Sequence, residues 1–209
     1  MGPGYGNPHV FDLRFSGFSN IFNEHSTSLE GRTIKDKPAT EYALLGALMS
    51  GPRHGYEILQ FLETGLGPTW RVSTSQLYVL LKRMDKEGFV SSTLKTQDTR
   101  PSKRVFSIIP PGEKRFLDWL KSPTDHVRDL RIEFLAKLFF FHNLGLQGGD
   151  ALVDAQIVLL EQVKKGLTAR RRAEKDDYNR LVYGFRISTL TGWLNWLKKE
   201  ALLFVKRGR

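Results

Sequence analysis

The chain has no cysteine, which excludes disulfides, thiolate nucleophiles and cysteine-ligated zinc or iron–sulfur sites and fits a reducing compartment. It has no apolar run approaching the roughly 20 residues of a membrane span, and its start, MGPGYGNPHVFD, lacks the charged-then-apolar order of a signal peptide. Gly6 stands where an N-myristoylation signal requires Ser or Thr. These absences predict a soluble, cytoplasmic protein with no membrane partner. The five histidines (His9, His25, His54, His126, His142) show neither an H-E-x-x-H pattern nor carboxylate-paired spacing, and no nucleophile–base pair or phosphate-binding glycine loop is visible. An enzyme is therefore the remote option, and no metal or cofactor is expected.

Acidic residues are outnumbered: 22 Asp and Glu against 32 Lys and Arg leave a formal charge of +10. That balance points to an anionic partner without separating DNA from RNA, acidic lipid or acidic protein. At 209 residues the chain holds one large domain or two small ones. The most informative stretch is 54–109. HGYEILQFLETG reads as a helix with Ile58, Leu59 and Leu62 on its apolar side, and Gly65 to Pro68 close it. STSQLYVLLKRMDKEG reads as the next helix, with Ser73 at the N-cap, Gln76 completing a capping box, and Gly88 at the end. Its buried stripe is Leu77, Leu80, Leu81 and Met84, and its outer face carries Ser75, Val79, Lys82 and Lys86. Two β-rich runs follow, 89–97 and 103–110, joined through Asp98 to Ser102 in a hairpin with a basic tip. Helix, turn, helix and hairpin in this order outline a winged helix, which presents one short helix and one basic loop to a nucleic-acid groove.

On either side, ATEYALLGALMSG predicts a preceding helix whose Ala43, Gly46 and Ala47 permit close packing, and Trp70 reads as a core plug. GEKRFLDWLK predicts a helix after the hairpin that stops at Pro123, the expected domain boundary. Residues 1–37 read as a flexible Phe- and Gly-rich extension. Phe11, Phe15, Phe18 and Phe22 within it share helical spacing, suited to docking on the protein itself or its dimer mate, or to recruiting another protein. The remainder, 124–209, reads as helical. FLAKLFFFHNL is apolar on more than one face, and Asp150 is suited to cap a long helix through about Asn179. Tyr183, Ile187, Leu190, Leu194, Leu197, Ala201 and Phe204 then alternate spacings of four and three. That seam wants a partner helix, from within the chain or from a two-fold mate that would duplicate the reading helix. The basic run 169–172 is interspersed with Glu174, Asp176 and Asp177 and reads as a solvated helix face rather than a second nucleic-acid surface.

The chain resembles the PadR family of bacterial transcriptional regulators. His54-Gly55-Tyr56-Glu57 matches its H-G-Y-E signature; Trp70, Ser73, Leu77, Tyr78, Leu81, Lys82, Arg83, Gly88 and Val90 follow at family spacing. In the hairpin Arg100-Pro101 with Lys103, Arg104 and Phe106 is similar to its R-P-x-R-K-x-Y/F run, and Gly112 to Trp119 to its next helix. The likeness is strong over 39–123 and looser beyond, through RDLRIEFLAKLFFF, similar to the opening of a helical dimerisation domain. It implies a winged helix over 38–123 and a dimerisation and effector domain over 124–209. It also implies a homodimer binding a palindromic double-stranded DNA operator, usually as a repressor, often released by a small aromatic or drug-like ligand. Phe134, Leu138 and Phe141 would join Tyr183, Ile187, Leu190, Leu194 and Leu197 in the dimer. Ser73-Thr74-Ser75 departs from the Ser-Pro-Gly of several relatives, so their base preference does not carry over.

The expected DNA-binding set begins at the N-cap Ser73; Thr74, Ser75 and Gln76 are the expected base readers and Lys82 a phosphate contact. Gln76 faces two uses, a bidentate contact to adenine or the reciprocal capping bond. Tyr78 is expected half in the core with its hydroxyl towards a phosphate, and Arg100, Lys103 and Arg104 suit backbone or minor-groove contact by the wing. Trp193 and Trp196, three apart, either stack a flat effector or simply bury apolar area. The second functional reading is a DNA-binding regulator with no small ligand, controlled by a protein partner or by abundance.

Overall fold

The computed structural model describes residues 39–67, 70, 72–97 and 100–207, and of 95–97 and 100–103 the backbone alone. The extension 1–37 and its phenylalanine stripe lie outside the described residues. The first elements are α1 (Ala39–Leu48), β1 (Arg53–His54), α2 (Gly55–Leu66), α3 (Thr74–Lys86), β2 (Val90–Gln97), β3 (Arg100–Ile108) and α4 (Pro110–Lys121). β3 lies between β1 and β2 and is antiparallel to both. This is a winged helix, mainly α with a small antiparallel sheet. The two-residue β1, pairing Arg53 with Phe106 and His54 with Val105, is too short to show an alternation and was not legible.

The expected apolar stripes form the core: Leu44, Leu45, Leu48, Ile58, Leu62, Leu77, Leu81, Met84, Phe116 and Leu120 are all buried, and Trp70 plugs the connector. α3 ends in a complete Schellman motif. Gly88 takes a left-handed φ of 73°, its N–H donates to Asp85 O, and the Phe89 N–H donates to Met84 O at 2.9 Å. The chain is thereby turned directly into β2. Gln97 pairs with Arg100, so β3 starts three residues earlier than the hairpin reading, and the connection shrinks from Asp98–Ser102 to Asp98 and Thr99. Pro101 is tolerated in a strand because β1 reaches only as far as Val105 and leaves that stretch of β3 with one neighbour.

Val127–Asp129 forms a 3₁₀ turn and Leu130–Phe134 a π turn leading into α5 (Leu135–Asn143). As its all-round apolarity predicts, α5 is packed on several sides, with Phe134, Leu138, Phe140 and Phe141 buried. Phe140 sits edge-on to Phe116 at 5.3 Å between ring centroids and fills the space that a side chain at Gly46 would need. Phe139 does the same at Gly65. The small residues of α1 and α2 thus let α5 dock on the winged helix.

A polar cluster sits in this junction. The Lys137 Nζ, fully buried, donates to Glu133 Oε1 at 2.7 Å and to Ser122 O at 2.9 Å and lies 5.0 Å from the Trp119 ring centroid. Burial holds its pKa below the ordinary lysine value, while Glu133 works the other way. Glu133 also accepts from Trp119 Nε1 at 3.2 Å. The buried Gln156 amide accepts the Thr124 N–H at 2.6 Å and donates to Thr124 O at 3.0 Å.

α6 (Gly149–Ala173) starts at an N-cap Gly148 and stops six residues before the predicted end. Asp150 lies inside the first turn and is not the cap. Glu174–Asp176 break the helix, and Asp176 caps α7 (Asp177–Trp196) by accepting the Asn179 N–H at 2.8 Å. A charge-rich continuation had hidden this cap. A π turn (Leu197–Ala201) and α8 (Leu202–Arg207) complete the chain. The heptad seam is covered largely from within: Leu190, Leu194, Leu197 and Ala201 are buried, chiefly where α7 packs on α6, with Tyr183 and Ile187 half-buried beside them and Phe204 exposed. Among the described residues, no helix is long and apolar enough to cross a membrane.

Candidate nucleic-acid interface

The amphipathic pattern of α3 buries one side against α2 and β2 and leaves the other open. Ser73, Thr74, Ser75, Gln76, Tyr78, Val79, Lys82 and Lys86 are all exposed, so the predicted readers and the phosphate contact share one accessible face. Val79, at 67% exposure, was placed on the outer face by its periodicity but not counted as a reader. An apolar side chain standing clear on such a helix is suited to a thymine methyl.

Half of the predicted capping box is present. Ser73 Oγ accepts the Gln76 N–H at 3.2 Å, but among the described residues the Gln76 amide makes no hydrogen bond in return. Of its two expected uses, capping is not the one adopted, which leaves both amide groups available to a base edge. A reciprocal bond is instead formed one helix earlier, where the Glu57 carboxylate accepts the His54 N–H at 2.7 Å. That bond holds the Glu57 pKa below its ordinary value.

Tyr78 is 45% exposed, half core as predicted, and its ring rests on the backbone of Gly55. A Cβ at Gly55 would stand 2.6 Å from Tyr78 Oη and 2.7 Å from Cζ. On its other side the ring meets Phe106 of β3, 6.5 Å between centroids. The glycine of H-G-Y-E is therefore a seat for the tyrosine, and Tyr78 joins α2, α3 and the wing. His54 adds a second tie to the wing. Its Nδ1 lies 3.2 Å from Arg104 O.

Arg104 stands back from the hairpin tip. Its backbone pairs with Leu94, and its guanidinium donates to Ser92 Oγ at 3.2 Å, while the Ser92 hydroxyl donates to Asp85 Oδ2 at 2.7 Å. This Arg104–Ser92–Asp85 chain braces the wing against the end of α3. The side chains of Arg100 and Lys103 lie outside the described residues, with the backbone of Lys103 paired to Lys95.

Phe134, Leu138 and Phe141 are buried in their own chain, as are Leu190, Leu194 and Leu197. They are parts of the core rather than a free surface. The open side of α7 is the opposite one, where Tyr178, Leu181 and Phe185 are exposed at i, i+3 and i+7. Sequence periodicity gave preference to the longer heptad and so passed over this shorter stripe. Trp193 and Trp196 are half-buried and meet edge-to-face at 5.6 Å.

The fold and this exposed helix face define a winged-helix domain. By comparison, residues 44–118 match the family model described as the transcriptional regulator PadR-like family. The chain is 30% identical over 117 residues to the negative transcriptional regulator PadR of Bacillus subtilis (strain 168), covering 56% of this chain and 64% of that protein. It is 28% identical over 90 residues to the probable transcriptional regulator Rv1176c of Mycobacterium tuberculosis, covering 43% and 48%. The chain thus spans about half to just under two thirds of these relatives' lengths. Among solved structures, Bacillus subtilis PadR in complex with operator DNA aligns over 80% of this chain and 99% of that one at 23% identity, with a TM-score of 0.42. The same protein in complex with p-coumaric acid covers the same shares at a TM-score of 0.37 and 23% identity.

Proposed function

We propose that this protein is a transcriptional regulator that binds double-stranded operator DNA through the exposed face of α3, with the wing on the adjacent backbone. The observation that carries this reading is the unsatisfied, exposed Gln76 amide at the start of a helix whose open face also holds Thr74, Ser75, Val79 and Lys82. Thr74, Ser75 and Gln76 read base edges, Lys82 contacts a phosphate, and Tyr78 keeps α3 in register with the wing. Arg104 contributes through bracing, and Arg100 and Lys103 supply the cationic tip. The sign of regulation is repression, in line with the relative described as a negative transcriptional regulator.

The active form in this reading is a homodimer. The stripe Tyr178, Leu181 and Phe185, on the side of α7 that α6 leaves uncovered, supports it as the mating surface, since a two-fold pairing there would provide two reading helices for a palindrome. Residues 38–123 thus bind DNA and 124–209 dimerise and respond. Trp193 and Trp196, half-buried at the carboxy-terminal end of α7, receive a flat aromatic effector. Footprinting on the DNA upstream of its own gene, with and without candidate phenolic acids, tests the proposal: a protected palindrome released by one of them is expected, and uniform, sequence-independent protection would refute it. Phe185→Glu should convert a dimer into a monomer by sedimentation, and an unchanged mass would remove the stripe from the interface.

A further inference from the structure

The basic run of α6 does not end as a solvated face alone. Glu161, Lys164, Lys165, Thr168, Ala169 and Arg172 line one wall of a groove of about 540 Å³ whose other wall is Thr191, Leu194, Asn195 and Lys198. Neither Trp193 nor Trp196 lines it. Four cations face one carboxylate there, and that carboxylate, Glu161, is taken by Lys198 at 2.6 Å. Among the described residues Lys164, Lys165 and Arg172 have no ion pair. Three positive charges therefore converge on a concavity with no counter-charge of their own, at a cost in mutual repulsion that a bound anion would remove.

We propose that this α6–α7 groove binds a small organic anion with negatively charged groups at both ends. Lys165 and Arg172 are seven residues apart on α6, which separates their backbone positions by about 10 Å along the helix axis. One end of the ligand meets Lys164 and Lys165, and the other meets the guanidinium of Arg172, which takes a carboxylate or phosphate in bidentate fashion. Between them the lining carries no charge: buried Leu194, exposed Ala169, Asn195 and the two threonines. Thr168 Oγ1 donates to Lys164 O and Thr191 Oγ1 to Ile187 O, both at 2.8 Å. With their hydrogens committed to the helices, those hydroxyls offer the ligand no donor. The middle of the ligand is accordingly carbon-rich, and recognition lies at its ends. This site is distinct from the α3 face, and its occupation does not presuppose DNA binding.

The test is calorimetric titration of the full chain, without DNA and at fixed ionic strength, with nonanedioate, citrate and inorganic pyrophosphate. Nonanedioate is expected to bind once per chain with a dissociation constant below about 1 mM, and more tightly than the two compact anions. Lys165→Ala with Arg172→Ala should weaken it by roughly tenfold or more, and Ala169→Glu, which adds a carboxylate to the floor without removing a cation, should do the same. Lys82→Ala should leave it unchanged. Absence of binding, equal binding of all three anions, or retention in both groove variants would overturn the proposal. So would a change in oligomeric mass on Ala169→Glu, since a second copy would then be the occupant.

Discussion

Replacing Glu133 by Ala isolates the polar cluster where α5 meets the winged helix. In the native chain this carboxylate faces the fully buried Lys137 ammonium at 2.7 Å and also accepts from Trp119 Nε1. Its loss leaves the ammonium with Ser122 O at 2.9 Å, the Trp119 ring and the more distant charge of Asp125. Removing one member of a buried pair costs roughly 3–5 kcal/mol; with Glu133 itself 23% exposed, the lower figure of about 3 kcal/mol applies. At this chain length that is a fall of roughly 6–12 °C in Tm. The loss must depend on pH. Burial already lowers the Lys137 pKa and Glu133 opposes that shift, so the variant's folded pKa lies lower still, below the unfolded value of about 10.4. Between those two values the unfolded chain binds more protons, and stability rises with pH. Urea unfolding at pH 7 and pH 9.5 should show the gap between variant and wild type narrowing at the higher pH. Lys137→Met combined with Glu133→Leu should recover most of the loss at both. A gap below about 1 kcal/mol at pH 7 would refute the reasoning, because a lysine that hydrates itself so cheaply is not buried.

Gly55→Ala should displace Tyr78, cost about 1–3 kcal/mol through overpacking, and weaken operator binding measured by fluorescence anisotropy; full affinity would show that the tyrosine seat is not needed. Ser73→Ala should cost about 1 kcal/mol in urea unfolding as a lost N-cap. Gln76→Ala should leave stability within about 0.5 kcal/mol while altering base preference, and the reverse pattern would restore Gln76 to the capping role. The Glu57 carboxylate, held below the ordinary value of about 4.3 by the His54 N–H, contributes stability above that value that is lost as pH falls through its folded pKa. Glu57→Gln should flatten this part of the acid transition in circular dichroism, and an unchanged profile would exclude the contact.

The winged helix was readable because each of its elements carries an independent local signal: the stripe Leu77, Leu80, Leu81 and Met84, the glycine at 88, the β-rich runs. The rest depends on tertiary contact. Ser73 to Gln76 fits the Ser/Thr-x-x-Glu/Gln capping pattern and His54 to Glu57 does not, and only the geometry shows that Glu57 makes the reciprocal bond and Gln76 does not. Arg104 read as a tip residue because spacing along a strand does not say which neighbour a guanidinium reaches. The seam from Tyr183 to Ala201 reads as a helix face wanting a partner, and periodicity cannot distinguish α6 of the same chain from a mate; Phe204, at its end, is exposed. The break at Glu174–Asp176 was masked because acidic and basic residues that favour an exposed helix are also those that cap one.

The central claim is that α3 and the wing hold DNA, and the salt dependence of binding tests it most directly. Affinity for an operator fragment is measured by anisotropy between 50 and 300 mM salt, taken as about the range over which counterion release is resolved. For Lys82→Ala and for Lys103→Ala the slope of log K against log salt should fall by about 0.9 per lost phosphate contact, whereas Lys165→Ala, on the α6 groove, should leave it unchanged. Slopes for Lys82→Ala and Lys103→Ala identical to wild type would contradict the account.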